Sequence, residues 1–107
     1  MDIELVKQQE SLNDGQSIHL FYDEIVGMYM AFGLSAYYTT MSVEPVISYS
    51  DALGMPVALL SRDVVKYLRQ SVTKVEHQPQ AYYRFRLRTK VGSAGYERWR
   101  KELFPLK

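Results

Sequence analysis

The chain has 107 residues, 47% of them hydrophobic, with 13 Lys and Arg against 12 Asp and Glu and a formal net charge of +1. This length and apolar content predict one domain, residues 1–107, around a single core. The chain has no cysteine, which excludes disulfides, zinc–thiolate sites, iron–sulfur clusters and thiol nucleophiles.

The first half of the chain predicts a β-hairpin, a short helix and two further strands. Asn13-Asp14-Gly15 is a turn signal, and the apolar run 17–22 that follows it has strand character. Gly27 and Gly33 bound a second strand over 28–32, which completes the hairpin. We interpret the segment 34–41 as a short helix, with a strand as the alternative because its tyrosines and threonines favour strands, and we expect two further strands over 45–50 and 57–60.

The second half predicts a helix, a strand and a closing helix. Ser61 is a good N-cap for a helix whose apolar residues recur at helical spacing as far as Val72. The polar residues Glu76 and His77 are expected in a loop before a break at 78–80. The segment 82–90 alternates as a strand does, and the segment 96–104 predicts an amphipathic helix whose inward residues are Tyr96, Trp99 and Leu103.

These elements predict an α/β protein of the α+β type, in which a small mixed β-sheet carries a hairpin near the N-terminus and two to three helices. An uncharged run of 19 residues, 25–43, approaches the length of a membrane span. It contains glycines, hydroxyl side chains and tyrosines, and acidic residues precede it, so we interpret it as buried structure and expect no membrane partner. Because the N-terminus lacks a signal-peptide pattern, we expect the protein in the cytoplasm.

The small net charge conceals two halves of opposite charge. Residues 1–61 contain one basic residue, Lys7, and eight acidic residues, a net charge of −7. Residues 62–107 contain twelve basic and four acidic residues, a net charge of +8. Such an asymmetry indicates an anionic partner. The alternative is that the two halves neutralise each other within one fold.

The basic residues of the second half fall on outward faces of the predicted elements. Alternation on the strand 82–90 places four cations on one face, where they repel one another unless an anion lies across them. Tyr82 shares that face and is the best candidate for an exposed stacking aromatic. Cations that only protect an edge strand from aggregation are the alternative. The candidate nucleic-acid-binding residues are Arg62, Lys66, Arg69, Tyr82, Arg84, Arg86, Arg88, Lys90 and Arg98.

No pattern in the chain points to catalysis. It has two histidines, His19 and His77, and it lacks the metalloprotease, phosphate-loop and serine-hydrolase motifs. Asp23 and Glu24 are adjacent, so their side chains diverge and suit neither paired acid–base chemistry nor a metal site. We therefore expect a non-enzymatic protein with no catalytic residue, no cofactor and no metal.

Two segments together resemble the N-terminal, mismatch-contacting domain of MutS DNA mismatch-repair proteins. The first is the run LFYDEIVGMYMAFGLSA at 20–36, and the second comprises MPVALL at 55–60 and DVVKYLRQSV at 63–72. The resemblance covers about residues 17–75 and implies a stand-alone relative of that domain's fold.

The same resemblance implies two further positions that contact DNA. In the MutS domain an aromatic residue wedges beside the mispaired base and a glutamate contacts that base; the matching positions here are Met28 and Met30. A methionine is able to act as an apolar wedge in a minor groove. Met30, however, lacks the oxygen with which a glutamate accepts a hydrogen bond, and a shared fold does not by itself give a shared function.

Two functions follow as hypotheses. The first is a small accessory protein of a DNA-handling system, which binds nucleic acid weakly through its basic face. The second is an interaction module or homodimer, in which the basic face of one copy meets the acidic face of another. Where the fold places the two charged halves bears on both hypotheses.

Overall fold

One antiparallel β-sheet of six strands forms the centre of the computed structural model, which describes residues 2–78 and 82–107. In chain order the elements are α1 (Ile3–Ser11), β1 (Ser17–Asp23), β2 (Met28–Phe32), α2 (Leu34–Thr39), β3 (Val46–Ser50), β4 (Met55–Leu60), α3 (Arg62–Arg69), β5 (Val72–Gln78), β6 (Tyr82–Leu87) and α4 (Tyr96–Leu103). Across the sheet the strand order is β3-β4-β2-β1-β6-β5. The predicted α+β class is confirmed, although every strand pair is antiparallel and the described part of the chain contains four helices.

The predicted β1–β2 hairpin is confirmed, and its turn is ordered by its own hydrogen bonds. The Asp23 carboxylate accepts hydrogen bonds from the N–H groups of Ile25 and Val26 at 2.9 and 3.3 Å. Gly27 closes the turn with a φ of 74°, a conformation that residues with a side chain rarely adopt. The turn therefore holds Ile25, which is 96% exposed, at the tip of a defined hairpin.

Apolar side chains cover both faces of the sheet, so the fold has three layers. Helices α2 and α3 pack on one face, where the buried residues include Tyr38, Leu68 and Phe85. Helix α1 packs on the other face over a smaller cluster, which comprises Val6, Phe21, Phe32, Val57 and Tyr82. Burial on both faces positions β1 and β6 firmly at the centre of the molecule.

Helix α1 lies outside the predicted set of elements. The Asp2 carboxylate accepts a hydrogen bond from the Leu5 N–H at 3.1 Å and thereby caps its N-terminus. Val6 is its one fully buried residue. Because the apolar stripe is so narrow, hydrophobic periodicity does not reveal this helix.

Strand β5 occupies the segment for which the sequence predicts the end of a helix and a loop around Glu76, and that prediction is wrong. A β-bulge between Val72 and Lys74 interrupts its pairing with β6. The bulge places Val72 and Val75 against the same cluster although they are three residues apart. Three-residue spacing is typical of a helix, so the bulge conceals the strand alternation. The predicted break at 78–80 is wrong for Gln78, which belongs to β5, and residues 79–80 lie outside the described residues.

Helix α4 packs outside α2 through aromatic rings. The Trp99 ring lies 5.4 Å from the Tyr37 ring, and the Tyr96 ring lies 6.2 Å from it, so both predicted inward aromatics have partners. Leu103, also predicted to face inward, is 47% exposed, and the prediction for this residue is wrong. The apolar contact at this end of the helix is made by Phe104 instead, whose ring lies 5.2 Å from the Tyr49 ring of β3.

The uncharged run 25–43 is divided among several elements. It contributes the hairpin turn, β2 and α2. Its middle is buried, as at Ala31 and Ala36, whereas Ile25 and Val26 at its start are exposed. None of the helices in the described part of the chain combines the length and the apolar character that crossing a membrane requires.

Candidate nucleic-acid interface

The predicted row of four cations on the strand 82–90 is shorter in the structure. Strand β6 ends at Leu87, and the chain then turns around Gly15, whose carbonyl accepts hydrogen bonds at 2.8 and 3.0 Å from N–H groups of the 91–92 segment. These contacts with the loop before β1 end the strand, so the prediction of one row reaching position 90 is wrong. Arg84 and Arg86 lie on the face of β6, whereas Arg88 and Lys90 lie beyond the end of the strand.

Asp14 bridges the two arginines that remain on this face. Its Oδ2 atom lies 2.9 Å from Arg86 Nη1 and 3.3 Å from Arg84 Nη2. Arg84 Nε also donates to the Ser17 hydroxyl at 3.2 Å, and Arg86 Nη2 donates to the Gln16 side-chain oxygen at 3.3 Å. The carboxylate that covers the row therefore comes from the acidic half of the same chain.

Strand β5 supplies a second carboxylate to the same face. Glu76 pairs in register with Arg84, and its carboxylate lies 3.9 Å from Arg84 Nη1 and 3.1 Å from Lys74 Nζ. Opposite charges on neighbouring strand positions stabilise a sheet, whereas like charges destabilise it. The repulsion expected from the alternating arginines is therefore compensated, and the face offers little free charge to a phosphate.

The same contacts change the acidity of Asp14. Burial by itself raises the pKa of this carboxyl, but hydrogen bonds from the Gln16 N–H, the Ser17 hydroxyl and the Arg86 guanidinium together lower the pKa from 3.8 to about 2. The pKa of Glu76 is also lowered, chiefly by the hydrogen bond from Lys74. Both carboxylates are therefore ionised at neutral pH.

Replacing Asp14 with asparagine should remove a pH-dependent part of the stability. A carboxyl with a depressed folded-state pKa stabilises the fold above its unfolded pKa of 3.8, and this contribution is lost as the pH falls towards about 2. At neutral pH we expect the free energy of unfolding of wild type to exceed that of Asp14→Asn by less than about 1 kcal/mol, because the Asp14 side chain is 38% exposed. Urea unfolding of both proteins across this pH window measures the difference, and a difference that stays constant with pH would contradict the role of Asp14.

Tyr82 is not the exposed aromatic that the sequence predicts. It is 5% exposed, its ring lies 4.9 Å from the Phe21 ring, and its hydroxyl donates to the Gln9 side chain of α1 at 3.2 Å. Burial raises the pKa of its phenol to about 12. Because α1 covers this end of the strand face, the prediction of a stacking role for Tyr82 is wrong.

The cations of α3 differ from those of β6 in their partners. Arg62, Lys66 and Arg69 are exposed, as predicted, and within residues 2–78 and 82–107 their one ion pair joins Lys66 Nζ to Asp63 at 4.0 Å. Arg88 joins them from beyond β6, since its Nη2 donates to a backbone carbonyl at the C-terminal end of α3 at 3.3 Å. Cations there also interact favourably with the helix dipole. We call the four residues Arg62, Lys66, Arg69 and Arg88 the α3 surface.

Tyr67 places an exposed aromatic ring beside Lys66, one cation of the α3 surface. It is 67% exposed and lines an open groove of about 410 Å³, together with Asp63, Lys66 and Gln70. A ring beside cations is able to stack on a base while the cations hold phosphates. Tyr67 is absent from the predicted site residues, although the helical period places it away from the buried stripe of Val65 and Leu68.

A row of three tyrosines crosses the sheet near the start of α3. The rings of Tyr22 and Tyr29 are 4.9 Å apart and those of Tyr29 and Tyr83 are 5.9 Å apart, and all three residues are half-buried. Burial raises the pKa of the Tyr29 phenol, Tyr83 raises it further, and the Arg62 guanidinium opposes the shift. Tyr29, the middle ring of the row, therefore lies within electrostatic range of Arg62, the first cation of the α3 surface.

The other predicted site residues lie away from the α3 surface. Arg98 is on α4 and pairs with Glu102 at 3.1 Å. Lys90 lies beside Gly15 in the loop after β6. Met28 and Met30 are half-buried on β2, with Met30 packed against the cluster under α1.

A buried polar cluster joins α1, β1 and α2. Glu10 Oε2 accepts a hydrogen bond from the Ser35 hydroxyl at 2.6 Å and lies 3.0 Å from His19 Nδ1, while Oε1 accepts from the Ser35 N–H at 3.2 Å. The pairing of β1 with β2 ends before it reaches His19. The Ser35 hydroxyl instead accepts a hydrogen bond from the His19 N–H at 2.9 Å. The carboxylate lies between the serine and the histidine, which is not the order of a nucleophile–base–acid relay. The cluster therefore ties three elements together.

Comparisons with known proteins leave the geometry as the basis for assigning a function. No protein-family model matches the chain, and neither does any curated protein or solved structure. The resemblance to the MutS N-terminal domain stays a prediction. In the part of the chain that the structure describes, no group of three or more His, Asp or Glu side chains is placed to hold a metal ion.

Proposed function

We propose that the protein is a non-enzymatic domain that binds nucleic acid through the α3 surface. The observation that carries this proposal is the contrast between two sets of cations. Arg84 and Arg86 both lie within 3.3 Å of Asp14, whereas the α3 surface has a single ion pair, at 4.0 Å, among the described residues. Guanidinium groups without carboxylate partners are available to phosphate oxygens, and their binding releases counterions.

The aromatic residues beside these cations favour a single-stranded ligand. Tyr67 presents an exposed ring in the groove that it shares with Lys66 of the α3 surface, and Tyr29 of the half-buried tyrosine row lies within electrostatic range of Arg62. Unpaired bases stack on such rings without strong sequence preference, whereas a duplex keeps its bases stacked internally. Four cations provide few phosphate contacts, so we propose weak binding with a strong dependence on salt.

Fluorescence anisotropy of a labelled thymidine oligonucleotide tests the proposal. We expect binding at low salt, with an affinity that falls about fiftyfold between about 50 and 200 mM salt, because four phosphate contacts to a single strand give a log–log slope of about −2.8. The double variant Arg69→Glu with Arg88→Glu should bind at least about tenfold more weakly. The slope of its log affinity against log salt should be about half that of wild type.

A matched charge control separates a defined interface from a general charge effect. Lys7→Glu with Lys101→Glu makes the same change in net charge at exposed residues of α1 and α4. This control should bind nearly as wild type does. Equal losses in the two double variants, or no binding of wild type at low salt, would overturn the proposal.

A second candidate, a protein-interaction module, is favoured by the hairpin tip. Ile25 and Val26 are 96% and 56% exposed on a turn that Asp23 orders. Large apolar side chains on a preorganised turn are suited to fill a pocket in a partner. Light scattering that shows concentration-dependent self-association, combined with no oligonucleotide binding at low salt, would support this candidate over the first.

A further inference from the structure

The two edges of the sheet differ in how they are protected. The β5 edge carries the charged residues Lys74 and Glu76 and a β-bulge next to Val72. The β3 edge has the sequence VISYS, without a charge, and its pairing with β4 is regular from Val46 to Ser50. Charges and bulges are the usual devices that prevent an edge strand from accepting another strand. The β3 edge lacks both.

The backbone of β3 presents unpaired groups to the open edge. The Gly33 N–H donates to the Pro56 carbonyl at 2.9 Å, so this carbonyl points towards β2. Tyr49 pairs with Pro56 on the other side of β4. Because successive residues of a strand point their N–H and C=O groups in opposite directions, those of Tyr49 and Ile47 point away from β4, and those of Ser48 point towards it. No turn or loop among residues 2–78 and 82–107 supplies a backbone partner to Ile47 or Tyr49.

Carboxylates flank this edge at both ends. Glu44 is exposed just before β3, and the Asp51 side chain just after it is 82% exposed although Lys107 Nζ lies 3.0 Å from its Oδ1 atom. A second copy of β3 paired antiparallel would bring Glu44 of one copy near Asp51 of the other, which is unfavourable. A strand with cations at both ends is therefore a better match than a second copy.

Apolar side chains beside the edge indicate that the middle of such a strand carries apolar residues. Val46 on β3 is 63% exposed. Leu106 is 97% exposed and lies between two residues that contact the Tyr49 ring, Phe104 at 5.2 Å and Lys107 at 5.1 Å. Val46 and Tyr49 are three residues apart and lie on opposite faces of the sheet. An added strand with apolar residues on both faces of its centre would therefore cover Val46 on one face and Leu106 on the other.

We propose that the open edge of β3 binds an extended segment of another protein by strand addition, and that this segment has β-branched or aromatic residues at its centre and Lys or Arg at both ends. Main-chain hydrogen bonds to Ile47 and Tyr49 would provide the affinity, and the flanking carboxylates would provide the selectivity. This surface lies on β3 and is separate from the α3 surface.

Amide hydrogen exchange followed by NMR tests the proposal with a synthetic probe, the peptide Lys-Thr-Val-Thr-Val-Thr-Val-Thr-Lys. At saturating peptide we expect the exchange of the Ile47 and Tyr49 N–H groups to slow by at least about tenfold, because each gains a hydrogen bond. The Ser48 N–H, which already points to β4, should change little. The alternation of protected and unchanged amides is specific to strand addition.

Matched peptides and variants complete the test. A peptide with Glu in place of both Lys residues, and one with Pro at its centre, should give no protection. Glu44→Lys should weaken binding of the Lys-ended peptide, whereas Glu4→Lys, the same charge change on α1, should not. Equal protection by the Glu-ended peptide would overturn the proposal, as would no protection by any peptide. Protection without peptide that grows with protein concentration would assign the edge to a second copy instead.

Discussion

Replacing Glu10 with alanine is expected to destabilise the fold by about 3 kcal/mol. The change leaves the Ser35 hydroxyl and N–H and the His19 ring without their acceptor, in a site where the His19 and Glu10 side chains are 3% and 7% exposed. It also loosens α1, which covers Tyr82 on the sheet. Equilibrium urea unfolding followed by circular dichroism measures the loss.

A residue on the same helix provides the control for Glu10. Glu4 is also on α1, but its side chain is 86% exposed and its ion pair with Lys7 is 3.9 Å long. Glu4→Ala should change the stability by less than about 0.5 kcal/mol. The double variant Glu10→Ala with Ser35→Ala should lose less stability than the sum of the losses in the two single variants, because the two side chains share a hydrogen bond. A Glu10→Ala protein as stable as Glu4→Ala would contradict the role of the cluster.

Replacing Leu68 with alanine is also expected to cost about 3 kcal/mol, since a buried leucine loses both its transfer free energy and its packing contacts. Leu68 is 0% exposed and packs α3 against the sheet. It therefore fixes the position of the helix that carries three of the four cations in the α3 surface. Thermal and urea unfolding measure the loss of stability, and a cost below about 1 kcal/mol would contradict this packing.

The neighbouring residue Tyr67 separates stability from binding. Because it is 67% exposed, Tyr67→Ala should alter the stability by less than about 0.5 kcal/mol. If the ring stacks on a base, the same variant should weaken oligonucleotide binding by at least about fivefold, the equivalent of about 1 kcal/mol. If Tyr67→Ala binds the oligonucleotide as wild type does, Tyr67 is not part of the interface. The prediction for Leu68 does not depend on this result.

Local signals in the sequence account for the parts of the fold that were predicted well. The N-cap of α3 is an example, because the Ser61 side chain accepts the Val64 N–H at 3.2 Å. The β1–β2 hairpin and most of β6 likewise follow from turn residues and alternation within a few positions. In these elements the residues that decide the structure are neighbours in the chain.

The parts that were predicted wrongly depend on contacts between distant residues. The burial of Tyr82 requires α1, which contacts it from Gln9, 73 residues away. The end of β6 at Leu87 requires the Gly15 loop, and the bulge in β5 is visible only from its register with β6. The tie between Glu10, His19 and Ser35 spans three elements and has no local sequence pattern.

The order of residues alone shows that one half of the chain carries a net charge of −7 and the other a net charge of +8. Which of those charges meet depends on the fold. Strand order places β1 beside β6, so Asp14 reaches Arg84 and Arg86, 70 and 72 residues further along the chain. Helix α3 lies on the opposite face of the sheet from α1, and in the described residues the one ion pair of its cations joins Lys66 to Asp63. Electrostatic pairing falls off over a few ångströms, so it follows the fold and not the order of residues in the chain.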